Sequence, residues 1–410
     1  MKILHVIAQL PMKTGSGVYA SNLIEGLEEK GYENAVIYGI QDPFKAEFSE
    51  AIQKYPVKFL TEELPFPIVG MSDDMPYTAS RYKDLKDDRF FSWKRAFLGQ
   101  LERAKKDFCP DLVISHHLWC LTRLVKDVFF DRPVIGICHA TDLRQAQNNP
   151  LLKKAYANDF SDLSQVIALS QKNIPLIGKT FGVDPSKIRI IPGGFDQLLF
   201  YEAKDEVERE EIKIFYGGKI SHAKGVFELA AAFKQISQVF EKAHLYIVGN
   251  CSQEEEDELY QLAGQTDRIH FAPAVEQKKF AAYLREMDIF ALASYYEGVP
   301  LVAIEALACG TRVVVSAIAG LIETLEDDIN DSSLIEYVDL PRMIGVDVPH
   351  PEDIDDYIDR LALALSRQII RIQEKEVVPK KVKEAVEGHS FGRTVNAFSD
   401  LIQGLNLETR

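Results

Sequence analysis

Two carboxylates, two lysines and three histidines are spaced so that they could do chemistry in this chain. Glu297 and Glu305 stand at the two ends of the run EGVPLVAIE. Apart from Glu305, every residue from Leu301 to Ala308 is apolar, so a carboxylate there needs a strong hydrogen-bonding partner. Vicinal hydroxyls on a ligand would supply one; a narrow polar stripe or a buried arginine would serve as well. Lys219 and Lys224 bracket the turn in GGKISHAKG, residues 217–225. Two cations on a glycine-rich loop at a helix start suit a diphosphate, and the alternative is a pair of surface lysines. His116 and His117 follow one apolar run and His139 ends another, while Gly15 and Gly17 follow a third. A lone histidine is more often a hydrogen-bonded core residue than a catalyst, and GSG alone is as consistent with a tight turn as with a phosphate cradle.

These residues need a scaffold. Asp288–Ser294 reads as a buried strand and 295–300 as a tight loop. The apolar decamer that follows should be a buried helix, with Pro300 in its first position and Gly310 as its cap. Arg312–Ser316 is then a second strand, and such a βαβ unit places a helix N-terminus at the carboxyl edge of a parallel sheet, where anions bind. Similar sequences open both halves of the chain. Residues 3–8 are a strand followed by the loop 11–17 and a helix Val18–Glu29 capped by Gly31; Ile212–Tyr216 is a strand followed by the lysine loop and a helix Val226–Phe240. Further strand patterns lie at 35–40, 112–115, 134–139, 165–170, 188–191, 244–248 and 269–273, with helices at 354–365 and 391–405. Strands alternating with helices give an α/β, doubly wound class.

Glu297, then EGVPLV, Glu305, ALACGTRVVVS and Gly320-Leu-Ile-Glu323 together resemble the donor-binding E-x7-E signature of retaining glycosyltransferases of family four, which have the GT-B fold of two Rossmann-like domains facing across a cleft. GGKISHAKG resembles that family's G-R-x4-K-G element, with Lys219 where arginine is usual and Lys224 retained. CHATD resembles the position at which a histidine reaches the transferred sugar, which favours His139 over His116 and His117. Residues 191–196, IPGGFD, resemble the family's NGVD turn with glycine in place of asparagine.

The resemblance implies a role for each of these positions. Glu305 would bind the ribose of a nucleotide-sugar, and Glu297 with the backbone of Gly298, Val299, Pro300 and Leu301 would surround sugar and diphosphate. Lys219, Lys224 and Gly218 would meet the diphosphate, and Gly15 and Gly17 would let backbone approach the donor or the acceptor. The implied activity is transfer of a hexose, UDP-linked, to an acceptor hydroxyl with retention, in cell-surface glycan, glycolipid or glycoconjugate synthesis. Neither metal nor cofactor is implied, the nucleotide-sugar being a substrate. The implied domains are 1–197, an acceptor domain completed by a terminal helix at about 388–410, and 198–387, the nucleotide-sugar domain.

Whole-chain properties agree with this class. At 410 residues two cores are expected. No apolar run approaches a membrane span, and MKILHVIAQL enters a strand rather than a signal peptide. Five cysteines without CxxC spacing point to reduced thiols in a cytoplasmic protein. Residues 1–197 carry 25 Lys+Arg against 24 Asp+Glu, and 198–410 carry 22 against 38, a balance that argues against nucleic acid as a partner. Residues 41–92 lose periodicity and read as an irregular lobe meeting the acceptor. Residues 81–106, with nine Lys+Arg and four Asp+Glu, read first as a packed amphipathic helix, and second as a peripheral contact with anionic lipid at the inner face of a membrane.

Paired carboxylates also suggest a glycoside hydrolase. Glu305 inside an apolar helix is badly placed for that, and a hydrolase needs no lysine loop. Closer alternatives are a phosphorylase, a sugar-nucleotide epimerase, or a weakly active partner subunit of a glycosyltransferase.

Overall fold

A computed structural model describes residues 1–73, 75–203, 210–297, 299–345 and 347–405. The chain divides into two units, Met1–Gly193 with Phe391–Arg410, and Gly194–Ser390. The first division precedes the charged segment at which the sequence suggested a boundary; of that segment, 204–209 lie outside the described residues.

The first unit is built on strands β1 (Lys2–Ile7), β2 (Glu33–Ile40), β3 (Gln53–Lys58), β4 (Val69–Gly70), β5 (Ser80–Arg81), β6 (Leu112–His116), β7 (Val134–Cys138), β8 (Gln165–Ala168) and β9 (Ile188–Ile190). Seven of them form a parallel sheet in the order β3-β2-β1-β6-β7-β8-β9, and β4 and β5 form a separate pair. In β1, Leu4 is opposite Ala35 on one side and Val113 on the other. Both faces of the sheet are covered, so its strands are continuous apolar runs whose alternate residues enter different cores. Leu4, Val6, Ala35 and Ile37 pack with Trp93, Phe97 and Leu101 of the helix Asp87–Asp107. Ile3, Leu112, Ile114 and Ile135 pack with Leu23 and Leu27 of the helix Gly15–Glu29 and with Val395 and Phe398 of the helix Phe391–Gly404. A Cβ on Gly26 would overlap the Val395 side chain, so glycine lets these two helices touch.

Residues 41–92 are more ordered than their sequence suggests. QKYPVK forms β3, an edge strand in register with β2 from Ala35↔Gln53 to Ile40↔Lys58, and Phe59, Leu64, Phe66, Ile68, Val69, Met71 and Tyr82 are buried. The basic helix begins at Asp87, after β5 and a short turn, and is packed as the amphipathic reading expected.

The second unit contains β10 (Ile212–Gly217), β11 (Ala243–Val248), β12 (Ile269–Ala272), β13 (Ile289–Leu292), β14 (Arg312–Ser316) and β15 (Ile335–Val338), parallel in the order β12-β11-β10-β13-β14-β15. Buried Tyr357 ties two strand ends together, its Oη donating to Ala293 O at 2.9 Å and lying 2.8 Å from Ser316 Oγ. Arg312, also buried, donates to Ser333 O, Gln368 Oε1 and Glu376 O. Tyr357 and Gln368 belong to the helix Ile354–Gln373, longer than the sequence suggested, and Lys380–Glu387 adds a helix that it did not.

Each sheet reverses its strand order once, between β1 and β6 and between β10 and β13. In open α/β sheets ligands bind outside the carboxyl ends of the strands at such a point. The candidate residues lie on the loops that leave these strands.

Candidate functional site

In the second unit the loops after β10 and β13 are laced together. Beyond β10 the chain passes Gly218 and Lys219, where Lys219 O accepts from Tyr216 Oη at 2.6 Å. A single turn, His222–Lys224, then leads into the helix Val226–Ser237 through Gly225. Gly225 has φ +61, and a Cβ there would overlap the carbonyl oxygen of Ala293 at the end of β13. No other residue type meets both conditions. The backbone N–H of Tyr295 donates to Ala223 O at 3.1 Å, a second tie between the loops.

This lacing brings two of the sequence candidates into contact. Lys224 Nζ lies 2.6 Å from Glu297 Oε1, which also accepts from Ser294 Oγ at 3.0 Å. Both charged side chains are partly exposed, 30% and 21%, so the pair is neither dry nor fully screened. Lys219 is exposed, and its ammonium has no ion pair or hydrogen bond among the described residues. The two lysines therefore differ: one is held by a carboxylate and the other is free.

The helix after this loop is Leu301–Ala308. Pro300 is its N-cap rather than its first residue, Val299 is half-buried, and Gly298 lies outside the described residues. No side chain caps the first turn; Ala303 N–H donates to Pro300 O at 3.0 Å, and the N–H groups of Leu301 and Val302 have no partner among the described residues. Gly310, φ +78, follows the C-cap Cys309. The helix is less enclosed than its apolar sequence implies, because Leu301 is exposed and Val302, Glu305 and Ala308 are half-buried. Glu305 is hydrogen-bonded to Gln277 on the neighbouring helix Gln277–Glu286. Burial pushes its carboxyl up to about 7, with the charge of Asp196 adding to the rise. It shares no hydrogen bond or ion pair with Lys219, Lys224 or Glu297 among the described residues.

In the first unit, Gly15 and Gly17 are not in a loop but in the first turn of the helix Gly15–Glu29, capped by Thr14, whose Oγ1 accepts from Gly17 N at 3.1 Å. A Cβ at Gly17 would press on Leu10 O at 2.8 Å, whereas one at Gly15 would meet nothing within 4 Å. Internal packing thus accounts for Gly17, and only Gly15 presents open backbone. Gln9 stiffens the turn by donating to Thr14 Oγ1 and Ser16 Oγ, each at 2.7 Å.

The histidines gather at the carboxyl ends of β6 and β7. His139 is buried and N-caps the helix Ala140–Asn148; burial lowers its pKa to about 3, with nearby His117 adding to the fall. His116 points into the core beside His5, Nε2 to Nδ1 3.1 Å, and burial holds it well below the ordinary histidine range. Gln277 and Asp142 were not singled out in the sequence: Gln277 meets Glu305 from another helix, and Asp142, at capping-box spacing after His139, also reaches His117 and Leu118 on a separate loop.

In the region 81–106, Arg81, Lys83, Arg95, Arg103 and Lys105 pair with Asp84, Asp73, Glu63, Asp107 and Asp131. Lys94 lies over the ring of Tyr156 and Arg89 over that of Phe66. Most of the cations that would face lipid are thus already engaged.

Comparison with known proteins matches residues 13–197 to the family described as Glycosyltransferase Family 4 and residues 200–374 to that described as Glycosyl transferases group 1. An uncharacterized glycosyltransferase of Methanocaldococcus jannaschii is 30% identical over 357 residues, covering 80% of this chain and 84% of that protein. A D-inositol 3-phosphate glycosyltransferase of Xylanimonas cellulosilytica is 28% identical over 183 residues, 40% of this chain and 43% of that one, so this match spans less than half the relative's length. Among solved structures, sucrose-phosphate synthase from Thermosynechococcus elongatus is similar over 99% of both chains, with a TM-score of 0.67 and 19% identity.

Proposed function

The chain belongs to the family 4 glycosyltransferases, with the two α/β units of the GT-B fold, and on that basis we propose that it moves a hexose from a nucleoside-diphosphate sugar, UDP-linked, to an acceptor hydroxyl with retention of configuration. The observation that carries this reading is the laced pair of loops after β10 and β13, where Lys224, Glu297, free Lys219 and an uncapped helix start share one sheet edge.

In this reading the bond from the anomeric carbon to the diphosphate breaks as the bond to the acceptor oxygen forms on the same face, the acceptor's hydroxyl proton passes to the departing phosphate oxygen, and negative charge grows on that phosphate as it leaves. Lys219, Lys224 and the N–H groups at the start of Leu301–Ala308 are preorganised to stabilise that charge. Glu297 holds the Lys224 ammonium in place and accepts hydrogen bonds from hydroxyls of the sugar. Glu305 accepts from the ribose, and His139 contacts the transferred sugar. The lysines supply the positive charge, so the reaction is proposed to be metal-independent.

The acceptor is placed in cell-surface glycan, glycolipid or glycoconjugate synthesis on the cytoplasmic side. No helix among the described residues is long and apolar enough to cross a membrane. Peripheral lipid contact through 81–106 is the less supported part of the proposal, given how many of those cations are paired.

The test is a thermal-shift screen of nucleotide-sugars, since a ligand that binds only the folded state raises apparent stability, followed by donor hydrolysis by the purified chain with and without EDTA. A rise in Tm with slow, chelator-resistant hydrolysis is expected. Loss of hydrolysis to EDTA and its return with Mg²⁺ would remove the metal-independent mechanism. Binding without hydrolysis or transfer would favour the partner-subunit reading, and no binding at all would remove the donor site.

A further inference from the structure

Asp142 is fully buried, yet its two oxygens take four hydrogen bonds, the longest from Thr141 Oγ1 to Oδ1 at 3.5 Å. Oδ1 lies 2.6 Å from His117 Nδ1, and Oδ2 accepts from the N–H of Leu118 at 2.8 Å and of His139 at 2.9 Å. One carboxylate therefore fastens the loop after β6 to the loop after β7. A carboxylate accepts, so Nδ1 of His117 is committed to Asp142 and Nε2 is the ring nitrogen left for another partner.

That Nε2 is buried without a hydrogen-bond partner among the described residues, and so are Nε2 of His139 and Oη of Tyr19. The three groups are neighbours: the His117 and His139 ring centres are 4.8 Å apart, and those of His139 and Tyr19 5.5 Å. Each unpaired buried polar atom carries a desolvation cost that nothing in the protein offsets. His117 also holds φ +112, a conformation that non-glycine residues rarely adopt and that tends to persist at functional sites. Packing alone gives no reason to keep three unpaired atoms and a strained residue side by side at the edge where the sheet reverses. The chemistry of the cluster also narrows its ligand. His5, His116 and His139 are held neutral by burial and a carboxylate, Asp142, sits among them, so the cluster suits hydroxyl groups better than phosphate.

We propose that His117, oriented by Asp142, contacts the sugar beside His139, its Nε2 sharing a hydrogen bond with a sugar hydroxyl, with Asp142 as a positioning residue. The proposal rests on the transferase reading and adds a substrate contact to it.

It is tested by two-bond ¹H–¹⁵N spectra of the full chain labelled at histidine nitrogens, titrated with UDP-glucose, UDP-galactose, UDP-N-acetylglucosamine and GDP-mannose, and separately with UDP and GDP. In the free protein His117 is expected as the Nδ1–H tautomer. The nucleotide-sugar that raises Tm should shift His117 Nε2, and its nucleoside diphosphate should not. His117→Asn, which tolerates positive φ, should lower kcat/KM for the donor roughly ten- to a hundredfold. Asp142→Asn should alter the His117 tautomer and lower kcat/KM by a similar factor. If a nucleotide-sugar binds while His117 Nε2 stays unmoved, or moves equally with the free diphosphate, this contact is overturned and the transferase reading stands. If none of the four binds, both fall.

Discussion

The Lys224 ammonium and the Glu297 carboxylate, 73 positions apart in sequence, are 2.6 Å apart in the structure. A presumed phosphate cation and a presumed sugar ligand thus act as one charge pair, and their substitutions should not be independent. Lys224→Ala is expected to cut kcat roughly a hundredfold or more, the scale of losing one preorganised electrostatic group. The double variant Lys224→Ala with Glu297→Ala should fall well short of the sum of the two singles, as residues in contact do. A double-mutant cycle on kcat and donor Kd measures this; additive losses would mean the pair does not work as a unit.

Lys219 offers a sharper test because its ammonium is free. An arginine there could grip two phosphate oxygens with a planar fork, which a point charge cannot. Lys219→Arg should keep or raise kcat, while Lys219→Ala lowers it more than it weakens donor binding. A folded but inactive Lys219→Arg would remove this loop from the diphosphate.

If Glu305 binds the donor's ribose, as proposed, donor affinity depends on pH. Its carboxyl is pushed up to about 7, first by burial and then by Asp196, and the ionised form is the one that accepts from two ribose hydroxyls. Affinity should therefore rise between pH 6 and 8 and level off above. Glu305→Gln should flatten that profile and cost on the order of 1.5–3 kcal/mol of binding at pH 8. Stability of the free protein has the opposite sign. A carboxyl whose folded pKa lies above its unfolded value contributes stability below the unfolded pKa, near 4.5, and loses it as pH rises through 7. Glu305→Gln should thus raise Tm at pH 8 more than at pH 5. Calorimetry on both forms checks the two signs together, and unchanged donor affinity in a folded variant would sink the ribose assignment.

Gly225 joins the two loops through backbone alone. Gly225→Ala combines a left-handed conformation with overlap on Ala293 O, and a loss of about 2–3 kcal/mol is expected in urea unfolding. Gly15→Ala, with open space around it, should be neutral in stability and reveal any ligand approach through a change in KM alone. A Gly225→Ala chain as stable as the original would show that the loops are not packed as described.

Most strands were readable because a parallel sheet covered on both faces leaves continuous apolar runs, as in β1 and β7. The edge strand β3 was not, since Pro56 interrupts it and only Tyr55 and Val57 are buried. The helix Lys380–Glu387 buries just Val382 and Val386 among charges, too short a pattern to show a period. At the candidate site the lysines and glutamates stood out by type and spacing, whereas their state did not. That Lys224 is paired, that Glu305 leans on Gln277 and that Asp142 clasps two loops depend on side chains brought together from separate elements. Sequence spacing within one element carries no record of such meetings.

The helix Phe391–Gly404 closes the core that β1 begins, and Tyr19 is wedged between its Phe391 and the ring of His139, 5.3 and 5.5 Å away. The core of the first unit is thus completed by residues that emerge from the ribosome only after the whole second unit. Residues 194–390 can gather their own core while Ile3, Leu23 and Ile114 still lack a cover, and the closing contacts join segments that lie on either side of that unit, the kind that form slowly. Until that helix arrives, the nascent chain exposes an apolar face and holds Tyr19 unsupported beside His139, so a shortened product would be both prone to aggregate and without a formed histidine cluster.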